Sequence, residues 1–123
     1  MSKESILIVD DELLVAEALK RMLMRDKYMV DSVLSGAQAL ENVRYKKYDL
    51  AIIDKNMPGM SGIEACREIR KFCQNLAVIL MTGESSIPQA EFLAAGGGAV
   101  MYKPFLQGEV QAAVHKALGA REQ

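Results

Sequence analysis

An α/β fold, with one parallel five-stranded sheet and helices on both faces, is predicted by two features of the sequence. Short apolar runs alternate with helix-like segments five times, with no internal repeat, low-complexity tract or linker between them. The best of these runs, Leu50–Ile53 and Leu76–Met81, are apolar throughout and do not alternate with polar residues. That pattern belongs to strands covered on both faces.

Taken in order, Ser5–Val9 reads as the first strand and stops at Asp10-Asp11-Glu12. Val15, Ala18, Leu19, Met22 and Leu23 form the apolar stripe of the helix that follows. Acidic residues at its start and Arg21, Arg25 and Lys27 towards its end complement the helix dipole. Met29–Val33 is a weaker second strand, interrupted by Asp31-Ser32. Three later helices open with a Ser followed three residues on by Glu or Gln, the capping box: Ser35/Gln38, Ser61/Glu64 and Ser86/Gln89. Between the first two boxes lies the strand Leu50–Ile53, ending in Asp54 and closed by Pro58-Gly59.

The helix from Ser61 carries Ala65, Cys66, Ile69 and Cys73 on one face. The helix from Ser86 takes Pro88 in its first turn, turns Leu93 and Ala94 inward, and stops at Gly96-Gly97-Gly98. Three glycines there predict a plain, mobile turn, since they lack the strand-to-helix spacing of a dinucleotide loop. Ala99–Tyr102 is the fifth strand, ended by Lys103-Pro104. The last helix buries Val110, Ala113, Val114, Ala117 and Leu118, then frays from Gly119.

The 123 residues suit one domain, 1–123, with a core from about 5 to 118. A formal net charge of −1 gives no sign of a nucleic-acid or anionic-membrane surface. No apolar run approaches the roughly 20 residues that span a bilayer. The four apolar residues after Ser5 are too few for a signal peptide, so a cytoplasmic location is expected. Cys66 and Cys73, seven apart on one helix, stand too far apart to pair and read as core thiols. His115 falls off the last helix's stripe and is expected in solvent, while Arg44-Tyr45-Lys46-Lys47 complements a helix dipole.

Asp54 alone reads as the start of a turn. Other strand ends change its meaning: the first stops at Asp10-Asp11, the fourth at Thr82 and the fifth at Lys103. In a parallel sheet these ends share one edge, and in the order 2-1-3-4-5 the three aspartates meet where ligands bind in open α/β sheets. Converging carboxylates repel and favour a divalent cation. Oxygen donors without Cys or His select a hard ion, Mg²⁺. Mg²⁺, Lys103 and the Thr82 hydroxyl would together neutralise a transferring phosphoryl group, with an aspartate as nucleophile.

Val9-Asp10-Asp11, Asp54 with Pro58-Gly59, Thr82, and Lys103-Pro104-Phe105 together resemble the response-regulator receiver domain of two-component signalling, from Ile6 to about Leu118. The resemblance implies a flavodoxin-like (βα)5 domain in the order 2-1-3-4-5. It implies Asp54 as phosphoacceptor, Asp11 as direct Mg²⁺ ligand, Asp10 acting largely through water, and the Asn56 backbone carbonyl completing the protein's share. It further implies that Thr82 and Lys103 contact phosphoryl oxygens and that the Lys103–Pro104 peptide is cis. Implied partners are a histidine kinase or histidine phosphotransfer domain, and an output domain or target met by the fourth helix, fifth strand and last helix. Whether that face also makes a homodimer, and whether the chain stands alone or is cut from a longer regulator, stay open.

Such a module promotes only its own phosphorylation and dephosphorylation. Asn56 and Glu84 flank the implied route of hydrolytic water. The family's aromatic switch, three residues before the Lys, is replaced by Val100. Tyr102 sits one residue before the Lys, on the strand face opposite Lys103 and so not an obvious substitute. The alternative is a Mg²⁺-dependent phosphatase with an aspartate nucleophile; its Asp-x-Asp motif is not matched by Asp10-Asp11-Glu12. A flavodoxin-like cofactor binder would want a phosphate-cradling loop where this acidic turn stands.

Overall fold

A computed structural model of the chain describes residues 4–83 and 89–121. In chain order the elements are β1 (Ser5–Val9), α1 (Leu13–Arg25), β2 (Met29–Val33), α2 (Gly36–Tyr45), β3 (Leu50–Asp54), α3 (Gly62–Phe72), β4 (Ala77–Thr82), α4 (Gln89–Ala94), β5 (Ala99–Tyr102) and α5 (Gln107–Arg121). All strand pairings are parallel and the order is β2-β1-β3-β4-β5, as the sequence predicts. β3, the central strand, is buried along its whole length.

Strand pleating divides the core in two. Leu7, Val9, Ala51, Ile53, Val78 and Leu80 face α2, α3 and α4. Ile6, Ile8, Leu50, Ile52, Ile79, Met81 and Met101 face α1 and α5. Each fully buried Ile or Leu contributes about 1.5–3 kcal/mol of transfer free energy.

Helix stripes depart from expectation in two places. In α1, Ala16 is buried and Ala18 is exposed, with Leu19 and Leu23 inward as expected. In α4, Phe92 and Ala95 are buried, whereas Leu93 is 59% exposed and Ala94 lies outside too. Six residues make less than two turns, so apolar Leu93 and Ala94 could pass for the inward pair while the larger Phe92 wins the core. α5 continues through Gly119 to Arg121 and does not stop at Leu118, while Val110, Val114 and Leu118 are buried as predicted. Cys66 is buried and Cys73 half-buried, both as free thiols, and His115 is exposed.

Of the predicted capping boxes, Ser61 and Glu64 close the full reciprocal pair. Ser35 accepts from the Gln38 N–H, but the Gln38 side chain accepts from Leu34 N–H instead of Ser35. The Ser86 box and Pro88 lie outside the described residues. Gly96-Gly97-Gly98 is a tied helix stop: Gly96 (φ 95°) donates to Leu93 O and Gly97 to Phe92 O, a Schellman pair. Gly98 N–H reaches Val78 O, and the Arg70 guanidinium donates to Gly96 O. The predicted mobile turn is thus anchored on both sides. The polar break in β2 is answered likewise: Asp31 accepts from Tyr48 Oη (2.6 Å) and Lys46 Nζ (2.7 Å). Lys46 finds a carboxylate, a stronger partner than the helix end it was expected to complement.

Candidate functional site

Parallel strands bring their C-terminal ends to one edge, and two further backbone bonds carry the alternation past the strands proper. Asp10 N–H donates to Val33 O (3.1 Å) and Lys103 N–H to Thr82 O (2.7 Å). Asp10, Asp54 and Lys103 therefore keep the parity of Ile8, Ile52 and Met101, on the α1/α5 side of the sheet. Thr82 keeps the parity of Leu80, on the α4 side. The peptide between Lys103 and Pro104 is cis, and Phe105 packs against the α1/α5 core where the chain turns into α5.

Lys103 Nζ lies 3.2 Å from Asp54 Oδ1, 3.5 Å from Asp10 Oδ2 and 3.3 Å from Glu12 Oε1. Asp10 and Thr82 are fully buried and Asp54 is 5% exposed. Burial pushes the Asp10 carboxyl above the usual range, opposed by the Glu12 N–H that Asp10 Oδ1 accepts at 2.9 Å. Burial also raises Asp54, with Lys103 opposing. Burial draws the Lys103 ammonium down, but Asp10 and Asp54 outweigh it, so its pKa is raised. Three acids around one ammonium leave the site negative overall.

Asp10 Oδ2 is buried and finds no hydrogen-bond partner among the described residues. Asp10, Glu12 and Asp54 each offer one oxygen within 4.8 Å of the others. Oxygen-only donors with an orphaned buried carboxylate oxygen suit a hard divalent cation. Asp11 is exposed and outside that trio, though its charge still helps raise Asp54. Asn56 is exposed in the loop after β3. Val100 is half-buried against the α2/α3/α4 core, and Glu84 lies outside the described residues.

Two residues at the site were missed by sequence reasoning. Glu12, just before α1, reaches Lys103 with a side chain one methylene longer than Asp. Its position in an acidic run was the available signal. Gly62, the first residue of α3, donates its N–H to Lys55 O (2.8 Å) and brings the helix against the backbone at the end of β3. A Cβ there would press first on the Asp54 carbonyl oxygen and lie 2.8 Å from Lys55 Cα and 2.9 Å from the Asp54 carbonyl carbon. A Gly directly after a capping Ser was the clue.

Comparison with known proteins agrees with this geometry. The sequence profile of the response regulator receiver domain matches residues 6–115. Response regulator RppA of Synechocystis is 40% identical over 112 residues, covering 87% of this chain and 47% of the relative. The chain thus spans about half the length of that curated relative. Among solved structures, response regulator TrrA of Thermotoga maritima, in complex with Mg(2+)-BeF, superposes with a TM-score of 0.85 at 35% identity, covering 93% of this chain and 98% of that one. The receiver domain of a Pseudomonas aeruginosa sensor histidine kinase, with a magnesium ion coordinated in its active-site cleft, gives 0.86 at 28% identity, covering 96% and 99%.

Proposed function

The chain belongs to the response regulator receiver family, and on that premise we propose that it accepts a phosphoryl group on Asp54 from a phosphohistidine of a histidine kinase or phosphotransfer domain. The observation that carries this reading is the Lys103 ammonium held 3.2 Å from a buried Asp54 carboxylate and 3.5 Å from that of Asp10. An Asp54 oxygen attacks phosphorus, the phosphorus–nitrogen bond of the donor breaks, and the histidine leaves with the bond pair. Asp54 then carries an acyl phosphate.

Asp10, Asp11, Asp54 and the Asn56 backbone carbonyl would hold Mg²⁺. When bound, that ion supplies positive charge beside the phosphoryl oxygens. The protein's own share is charge and position. Lys103 faces the same space as Asp54 and pairs with the negative charge delivered there, and the Thr82 hydroxyl at the end of β4 donates to a phosphoryl oxygen. Asn56, two residues after the acceptor, flanks the approach of hydrolytic water, and Val100 stands where the family carries its switching aromatic.

The unit spans the whole chain with its core from about 5 to 118. It acts only on its own phosphorylation state, and it signals through the face of α4, β5 and α5 to an output domain or target. A cytoplasmic location goes with this reading; no helix of the described residues is long and apolar enough to cross a membrane. The aspartate-nucleophile phosphatase is not favoured, because Asp10-Asp11-Glu12 lacks its Asp-x-Asp spacing.

Acetyl phosphate with Mg²⁺ tests the reading directly. Intact-protein mass spectrometry should find one added phosphoryl group, absent in Asp54→Asn. Uptake that survives in Asp54→Asn, or no uptake by the wild type, refutes the assignment.

A further inference from the structure

Lys103 has a third partner that the phosphoryl chemistry above does not use. Its ammonium lies 3.3 Å from Glu12 Oε1, within hydrogen-bond reach and as near as the buried acids. The partners differ in setting. Asp10 and Asp54 are buried, whereas the Glu12 side chain is 62% exposed at the rim, beside a Lys103 side chain only 21% exposed. Glu12 stands at the N-cap position of α1, yet its side chain caps nothing; its backbone N–H is taken by Asp10 Oδ1. The Glu12 carboxylate is therefore spent on Lys103 and not on the helix.

A divalent cation held by Asp10 and Asp54 competes with Lys103 for the same oxygens, because like charges cannot share them cheaply. Asp10 Oδ2, buried and without a hydrogen bond, marks where that competition falls. Once the inner acids are engaged, Glu12 is the carboxylate left to the ammonium. We propose that Glu12 is a positioning residue for Lys103: it draws the ammonium towards the rim, so that a cation can take the inner carboxylates while Lys103 stays within reach of an arriving phosphoryl group. The proposal rests on the Mg²⁺-dependent receiver reading.

A double-mutant cycle on Mg²⁺ affinity tests it without any turnover. Titration calorimetry is run on the wild type, Glu12→Gln, Lys103→Met and the double variant, with thermal melts checking that each is folded. Lys103→Gln serves in place of Lys103→Met if the latter does not fold. Glu12→Gln should weaken Mg²⁺ binding about threefold to fivefold, the range of a partly exposed ion pair. In the Lys103→Met background its effect should be smaller by about twofold or more. Glu12→Asp, which keeps the charge but shortens the reach, should behave like Glu12→Gln. Equal losses in both Lys103 backgrounds, or wild-type affinity in Glu12→Asp, overturn the proposal, since Glu12 would then act as a ligand or a distant charge. A wild type that binds no Mg²⁺ would instead overturn the receiver reading beneath it.

Discussion

Replacing Gly62 with alanine probes how tightly backbone contact positions the acceptor. The new Cβ would meet the Asp54 carbonyl oxygen first and lie 2.8 Å from Lys55 Cα, against the 3.4 Å where ordinary contact begins, so about 1 Å must be found between helix and strand. Neither side yields freely. The acceptor side is tied by Lys55 N–H to Met81 O and by Gly62 N–H to Lys55 O, both 2.8 Å. The helix side carries Ile63, Ala65, Cys66 and Ile69 into the core and is held at its start by the Ser61–Glu64 box. A close-packed interior shares such a displacement, which costs about 1–3 kcal/mol of stability.

The chemical cost follows from the same distance. A misplacement of about 1 Å costs on the order of a hundredfold in rate, so about half that distance at Asp54 predicts roughly tenfold slower phosphorylation. Gly62→Ala should therefore unfold earlier in urea and gain label from acetyl phosphate about tenfold more slowly, measured well below its melting temperature. Gly108→Ala is the control: a Cβ there meets nothing within 4 Å, so neither quantity should fall. A Gly62→Ala protein with wild-type stability and wild-type rate refutes the reasoning.

The remaining expectations concern stability. Tyr48→Phe removes the hydroxyl that donates to Asp31 and accepts from Asn42 Nδ2, and should cost about 1–2 kcal/mol in urea denaturation. Burial, then the bond to Asp31, pushes the Tyr48 phenol from 10 to about 12, so the wild type should lose stability as pH rises between those values, and Tyr48→Phe should lose that slope. Asp31 is shifted the other way: Lys46 first and Tyr48 next hold it low, so its contribution is present above the usual carboxylate range and disappears as pH falls through its lowered value. Arg70→Ala frees the carbonyls of Gly96 and Gln74 and should speed hydrogen exchange at Gly96–Gly98; unchanged exchange would show that the glycine stop holds itself. Mg²⁺ at a hundredfold over its dissociation constant should stabilise the fold by about 2.7 kcal/mol, reversed by EDTA and missing in Asp10→Asn.

The apolar runs and strand ends were readable because a buried parallel strand admits few polar residues before its end. An acid at Asp10 or Asp54 therefore announces the edge. Helix faces were less readable where the element is short or the residues are small. Ala16 and Ala18 carry almost the same apolar signal, and α4 offers too few positions for a period to separate Phe92 from Leu93. Contacts between distant segments left little local trace. The approach of Gly62 to Asp54, the clasp of Arg70 on Gly96 and the reach of Glu12 to Lys103 each join segments that only the folded chain brings together.

Strand parity also alters how the replacement at Val100 should be weighed. Setting Tyr102 aside because it faces away from Lys103 does not discriminate, since Val100 has the same parity and faces the same way. Register separates them better: Val100 pairs with Leu80, while Tyr102 pairs with Thr82. Val100 is sunk against the core that includes Phe92, whereas Tyr102 is 43% exposed at the edge. The chain therefore keeps an aromatic beside Thr82, two pairs nearer the site than Val100. Asp10, Asp54 and Lys103 lie on the α1/α5 side and Thr82 on the α4 side, so the edge of β4 is where the two halves of the site meet. On the proposed reading, charge arriving at Asp54 would reach the α4 face by drawing on Thr82, and the residue paired with Thr82 on that face is Tyr102.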